Sequence, residues 1–207
     1  MATTEPFAEG VRRFRTRIYP SRRELFRRLA ESQNPRALFL TCADSRVIPS
    51  LITNTGPGEL FVERNPGNIV PVYDEVAVGV SASIEYALTA LRARHVIICG
   101  HSDCGAVHGM LHPTSLAHMP AVARWLDFAA EALLRLDREP DLADEAARTA
   151  RLTQLNVIAQ MDNLMTHPCV RAALSADAVE IHGWVYDIEA GRVDAYNSET
   201  GAFAEIT

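Results

Sequence analysis

Cys42, Asp44 and Arg46 lie within one short run, Cys42-Ala43-Asp44-Ser45-Arg46, and a second run, His101-Ser102-Asp103-Cys104-Gly105, adds an imidazole and another thiol. Two thiols and one imidazole suit a soft, tetrahedral zinc ion. Three good ligands leave a fourth position for water or a displaceable carboxylate, the layout of a catalytic zinc site rather than a structural one. If both sulfurs are thiolates they cancel the charge of the ion. A water held there is then less acidified than one on a tris-imidazole site, so activity is expected to rise toward alkaline pH. Asp44 has two options: it can complete the tetrahedron, or it can be clamped bidentately by the planar, permanently charged Arg46 and orient water instead.

Both runs follow apolar stretches that read as buried strands, residues 37–41 and 95–99. Buried parallel strands are near-continuously hydrophobic, and ligands gather at their carboxyl ends. A further strand is expected over 60–64, ending in the turn signal Asn65-Pro66-Gly67-Asn68. Apolar residues Val76, Val80, Ile84, Ala87, Leu88 and Leu91 recur at helical spacing, predicting a helix over 74–91. Two helical stretches follow, about 119–137 and 142–166, with Asp141 as N-cap of the second; Pro168 interrupts, and 169–174 adds a turn. A fourth strand is expected over 178–188, then a Gly191 turn and a short edge strand over 192–196. Strands alternating with helices give an α/β fold: a single domain with a mainly parallel four-stranded sheet plus an edge strand, flanked by helices.

The chain has 207 residues and a formal net charge of −6. All its basic residues are Arg, so Schiff-base and P-loop chemistry are excluded for want of Lys. Arginines cluster between Arg12 and Arg28, on a segment where Phe7, Val11, Phe14 and Ile18 keep helical spacing, Pro20 interrupts, and Ser21 with Glu24 offers a capping box. Such a run could meet phosphate, nucleic acid or anionic lipid. A solvated face on helical arms that pack against a partner subunit fits better, because aromatic readers and a basic balance are missing. The expected division is a dimerisation arm over 1–30 and a zinc-binding domain over 31–207. No leader-like apolar segment and no run long enough to span a membrane is present, so no membrane or nucleic-acid partner is expected. Four cysteines in that setting point to reduced thiols and a cytoplasmic protein.

The two motifs resemble those of the β-class carbonic anhydrases. C-x-D-S-R (Cys42 to Arg46) and H-S-x-C-G (His101 to Gly105), supported by Arg64 to Asn68 and by Ile84-Glu85-Tyr86, stand in the family's order over roughly residues 24–190. The resemblance implies one zinc on Cys42, His101 and Cys104, with Asp44 and Arg46 as a dyad and Asp44 as the alternative fourth ligand. It implies Gln33 on bicarbonate, the Gly105 backbone N–H on a substrate oxygen, and Phe61 with Tyr86 around CO2. It also implies a homodimer or tetramer built through the N-terminal helices. Pro66 departs from the small or branched apolar residue usual beside the site. A subgroup of the family carries an inhibitory bicarbonate site made of a Trp, an Arg and a Tyr. Arg64 and Tyr186 match, but Phe39 holds the Trp position without an indole N–H, so that site is not expected in its usual form, and Asp44 is expected off the metal.

Reversible hydration of CO2 follows. Two alternatives carry the same residues: hydrolysis of a CO2 analogue such as carbonyl sulfide or carbon disulfide, and a non-catalytic zinc or bicarbonate sensor. Retention of the dyad and of Gln33 argues against the sensor. Cys99 and Cys169 read as core thiols. His108, His112, His118, His167 and His182 are open to proton shuttling but read more simply as loop or surface residues, and Asp103 reads as a supporting residue rather than a ligand.

Overall fold

The computed structural model describes residues 4–74, 78–140 and 142–207. The chain divides into two compact units, one up to Asn34 and the other Pro35–Thr207. In the first, α1 (Glu5–Arg13) runs through a π turn (Phe14–Ile18) into α2 (Tyr19–Ser21), and α3 (Arg23–Glu31) follows. Pro20 falls in the first turn of α2, where its missing N–H costs nothing, so the helical path continues past it. Ser21 therefore does not cap α3 as its position suggested. Its hydroxyl donates to the Ile18 carbonyl at 2.8 Å, and Arg22 occupies the cap. Tyr19 stacks on Phe26, with Phe14 edge-on to Phe26, while Phe7, Val11, Phe14 and Ile18 remain exposed.

The second unit is built on a six-stranded sheet of order β2-β1-β3-β4-β5-β6. The strands β1 (Ala37–Cys42), β2 (Leu60–Asn65), β3 (His95–His101) and β4 (Glu180–Asp187) pair in parallel, and β5 (Arg192–Asn197) and β6 (Ala202–Glu205) add antiparallel. Sequence reading ended at β5. β6 follows a turn in which the Asn197 carboxamide oxygen accepts from the Glu199 and Thr200 N–H groups and Gly201 takes φ +68°. β6 has four residues, and only Phe203 is partly buried, so no burial pattern marks it in sequence.

One face of the sheet, with Leu38, Leu40, Val96 and Ile98, is covered by α5 (Val78–Glu85), α9 (Glu145–Leu164) and α10 (Pro168–Ser175). The opposite face carries Ala37, Phe39, Ile97 and Cys99 with Leu60, Trp184 and Tyr186. Within the described residues the helix expected from Asp74 begins at Val78 and ends in a π turn over Tyr86–Ala90; Val76 lies outside them. The stretch expected as one helix over 119–137 is broken. α7 (Pro120–Leu126) and α8 (Ala130–Leu136) are joined by a 3-10 turn. Asp141, expected to cap α9, also lies outside the described residues. Asp144 is the cap, its carboxylate accepting the Ala147 N–H at 2.8 Å. α4 (Pro49–Ile52) and α6 (Gly105–Leu111) complete the unit. Among the described residues no helix is long and apolar enough to cross a membrane.

Candidate metal centre

The parallel register sets Cys42 beside Asn65 and Thr41 beside Cys99, so β1 and β2 end level and β3 runs one residue further. Cys42 is the last residue of β1, His101 the last of β3, and Cys104 the N-cap of α6 in an extended conformation. Asp103, between the last two, takes φ +53°, a left-handed conformation that Asp tolerates and β-branched residues do not, and the chain reverses there. One donor atom each from Cys42, His101 and Cys104 lies within 4.8 Å of the others, and all three residues are buried.

The donor chemistry fits a zinc ion. The two sulfurs are 3.9 Å apart; two thiolates on one tetrahedral zinc stand about 3.8 Å apart, given Zn–S bonds of about 2.3 Å. His101 Nδ1 sits 2.9 Å from the Ser102 carbonyl, which can only accept. The proton is therefore on Nδ1, and Nε2 carries a lone pair. Nε2 is one of two buried side-chain polar atoms without a hydrogen-bond partner among the described residues. A buried acceptor left unpaired costs about 1–3 kcal/mol, and a cation relieves that cost. Cys42 is pushed down, foremost by the bond from Cys104, and Cys104 is pushed up by the same bond and then by burial. The Gly67 N–H also points at Cys42 Sγ, at 3.4 Å.

The loop that brings Gly67 there is held by α9. Asn156 donates to the Gly67 carbonyl at 2.9 Å, Gln160 accepts from the Val70 N–H at 2.8 Å, and Asn163 donates to the Val70 carbonyl at 2.9 Å. Gln160 also donates to Asn156 at 2.9 Å. A Cβ at Gly67, which has φ +81°, would meet Ala106 at 3.0 Å. Sequence reading passed over these three amides; the signal was a polar row at helical spacing inside an apolar helix, Asn156, Gln160 and Asn163. Asn156→Ala strands the Gly67 carbonyl and the Gln160 amide in the core. It is expected to cost about 1–3 kcal/mol of unfolding free energy by chemical denaturation, with no loss of the Cys42, His101 and Cys104 side chains.

Asp44 is held off the metal position. Arg46 Nε donates to Oδ1 at 3.0 Å and Nη2 to Oδ2 at 2.8 Å, and the Arg46 backbone N–H adds a third bond at 2.9 Å. That fork holds the Asp44 carboxyl well below the usual carboxylate range. Oδ2 stands 3.9 Å from His101 Nε2. Arg46 is itself fixed, donating to the Asp103 carboxylate at 3.0 Å and carbonyl at 2.9 Å, with His108 on the other carboxylate oxygen at 3.2 Å. Asp103 is thus the support that sequence reading expected. Asp103→Ala frees one arm of Arg46 and is expected to lower kcat by about tenfold with KM little changed, a loss of positioning rather than of binding. Arg64 braces the same loop, donating to the Cys42 carbonyl at 3.1 Å and the Asp44 carbonyl at 2.6 Å.

The remaining site candidates are spread more widely. Gly105 opens α6 directly after Cys104, where the first N–H groups of a helix have no intrahelical partner. Phe61 and Tyr86 do pair, with ring centroids 5.9 Å apart, but Phe61 packs against the Leu38–Val80–Ile84 core, whereas Cys42 and Cys104 belong to another cluster. Gln33 is an exposed residue of the N-terminal unit. Cys99 is wholly buried, its thiol pushed up to about 12 by burial, and Cys169 is partly buried. Phe39 is fully buried and meets Trp184 edge-on at 6.0 Å. The Pro66 carbonyl accepts from the Trp125 indole at 2.8 Å.

The chain is similar to known proteins in both sequence and fold. A model of the carbonic anhydrase family matches residues 37–193. A carbonic anhydrase of Pseudomonas aeruginosa is 49% identical over 96% of this chain and 90% of its own length. β-Carbonic anhydrase 3 of Arabidopsis thaliana is 32% identical over 97% of this chain and 80% of its own. The solved β-carbonic anhydrase CcaA superposes with a TM-score of 0.94 at 40% identity, covering 98% of this chain and 92% of that one. The chain belongs to the β-carbonic anhydrase family. As an enzyme it is a carbonic anhydrase, that is, a carbonate dehydratase.

Proposed function

We propose that Cys42, His101 and Cys104 hold one zinc ion and that the chain catalyses the reversible hydration of CO2 to bicarbonate and a proton. The buried, unpartnered lone pair of His101 Nε2 between two thiols, next to an ionised Asp44, carries this reading. When bound, zinc supplies Lewis acidity to a water molecule. The rest falls to the chain. Asp44, acceptor-only in its ionised form, takes a hydrogen bond from that water and turns its lone pair toward CO2. Arg46 occupies both Asp44 oxygens and so holds the carboxylate back from closing on the Cys42, His101 and Cys104 donors that would hold the ion. By the family resemblance alone, the Gly105 N–H is assigned to a substrate oxygen on which charge develops, and Gln33 to bicarbonate. The assignment of Phe61 and Tyr86 to the apolar CO2 surface rests on the family resemblance, since within one chain Phe61 packs on another cluster and Tyr86 is exposed.

The proposal includes a homodimer or tetramer through the N-terminal helices, and a cytoplasmic setting. A similar solved β-carbonic anhydrase from Sordaria macrospora (31% identity, TM-score 0.76) is described as tetrameric, and the first helices here expose Phe7, Val11 and Ile18. All four cysteines are free thiols. The test is CO2 hydration before chelation, after it, and after zinc is returned. Activity lost and then restored is expected; a chelated protein that turns over CO2 at the original rate would overturn the zinc assignment.

A further inference from the structure

At its amino end the sheet carries another convergent set of donors. His95 opens β3 and Glu180 opens β4, and the parallel register pairs them directly. His182, two residues on from Glu180, projects from the same face of β4. The three donor atoms form a nearly regular triangle. His95 Nδ1 is 3.2 Å from His182 Nε2 and 3.6 Å from Glu180 Oε2, and His182 Nε2 is 3.7 Å from the same oxygen. A hydrogen bond explains the first edge alone; the other two are too long to be hydrogen bonds. Ligands at about 2.0–2.1 Å from a tetrahedral zinc are separated by about 3.4 Å, close to all three edges.

We propose that His95, Glu180 and His182 form a second divalent-metal site, with water filling its open coordination. Two imidazoles and a carboxylate are a donor set for zinc and its first-row neighbours. Burial, and then the neighbouring His95, push His182 down from its ordinary value. All three side chains reach solvent, and a cavity of about 270 Å³ lined by Arg36, Thr53, Thr55, His95, His182 and Trp184 opens on the two histidines. The Arg36 charge is taken up by Glu59 at 2.9 Å. On the other side Arg94 and Asp177 line the surface beside Glu180 and offset each other in charge. The site is separate from the Cys42–His101–Cys104 group. The two lie at opposite ends of β3, roughly 20 Å apart at about 3.3 Å per residue. Because its ligands come from strands that meet only in the folded chain, a metal bound there clamps β3 to β4 and stabilises the native state.

Cobalt(II) separates the two sites spectroscopically. Metal-free protein titrated with Co2+ is expected to take two equivalents per chain, one giving a thiolate-to-metal charge-transfer band, the other only weak d–d absorption and a rise in Tm. In the double variant His95→Gln/His182→Gln the second equivalent and its Tm increment should vanish, while the thiolate band and the CO2 hydration rate of the zinc form stay unchanged. Glu180→Gln, on the most exposed of the three side chains, provides a milder variant, expected to weaken the second equivalent at least tenfold. A wild type that binds one equivalent only, or a second equivalent that survives in the double variant, would overturn the proposal.

Discussion

Cys104→Ser is expected to release zinc from the catalytic centre and to lower kcat/KM for CO2 hydration by far more than 100-fold. Losing an outer partner of a metal ligand already costs about 10- to 100-fold in metal affinity or activity, and Cys104 is itself a donor. Serine keeps the size and the N-cap geometry but offers a hydroxyl whose proton is far harder to remove than that of a thiol. The remaining Cys42 also loses the bond that contributes most to keeping it a thiolate. The fold should survive, because Cys104 caps a short helix and the sheet beneath is packed independently of the sulfur. Metal analysis on the variant, with circular dichroism as the control for folding, measures the effect. A Cys104→Ser protein that keeps stoichiometric zinc and wild-type turnover would remove Cys104 from the ligand set.

Asp44→Ala is expected to act differently: zinc retained, turnover reduced by about 10²-fold, within the usual range for a positioned proton-accepting group. The carboxylate touches no sulfur, so the donor triad is intact without it. What disappears is the acceptor 3.9 Å from His101 Nε2 that turns the water. Arg46 keeps Asp103 as its only carboxylate partner and loses the fork that fixed its plane beside the site. Arg46→Lys should approach the same phenotype, because an ammonium cannot reproduce the fork that holds both Asp44 oxygens.

The donor triad and the dyad were legible because each sits at the end of a strand with an unmistakable pattern. Ala37–Cys42 is buried throughout and His95–His101 nearly so, and unbroken apolar runs that end in polar chemistry mark the carboxyl edge of a parallel sheet. The dyad was readable from the spacing of Asp44 and Arg46, although which of its two states prevails depended on Asp103, whose contact with Arg46 spans the gap between the motifs. The support from Asn156, Gln160 and Asn163 was passed over, despite its helical spacing, because polar residues on a helix ordinarily face water; here they face a loop that needs its backbone satisfied. β6 and the Ser21 hydroxyl were misjudged for local reasons, a strand too short to alternate and a proline placed where a helix accepts it. His95 passed unremarked because one histidine at the start of a strand carries no signal; only the register brings it to Glu180 and His182.

Stopped-flow CO2 hydration, followed with a pH indicator on zinc-loaded wild type and on Asp44→Ala from about pH 6.5 to 9, tests the central claim most directly. Fast wild-type turnover that rises with pH and falls by about 10²-fold in the variant is the expected result. Protein shown to hold zinc on Cys42, His101 and Cys104 that turns over no CO2 at any pH would contradict it.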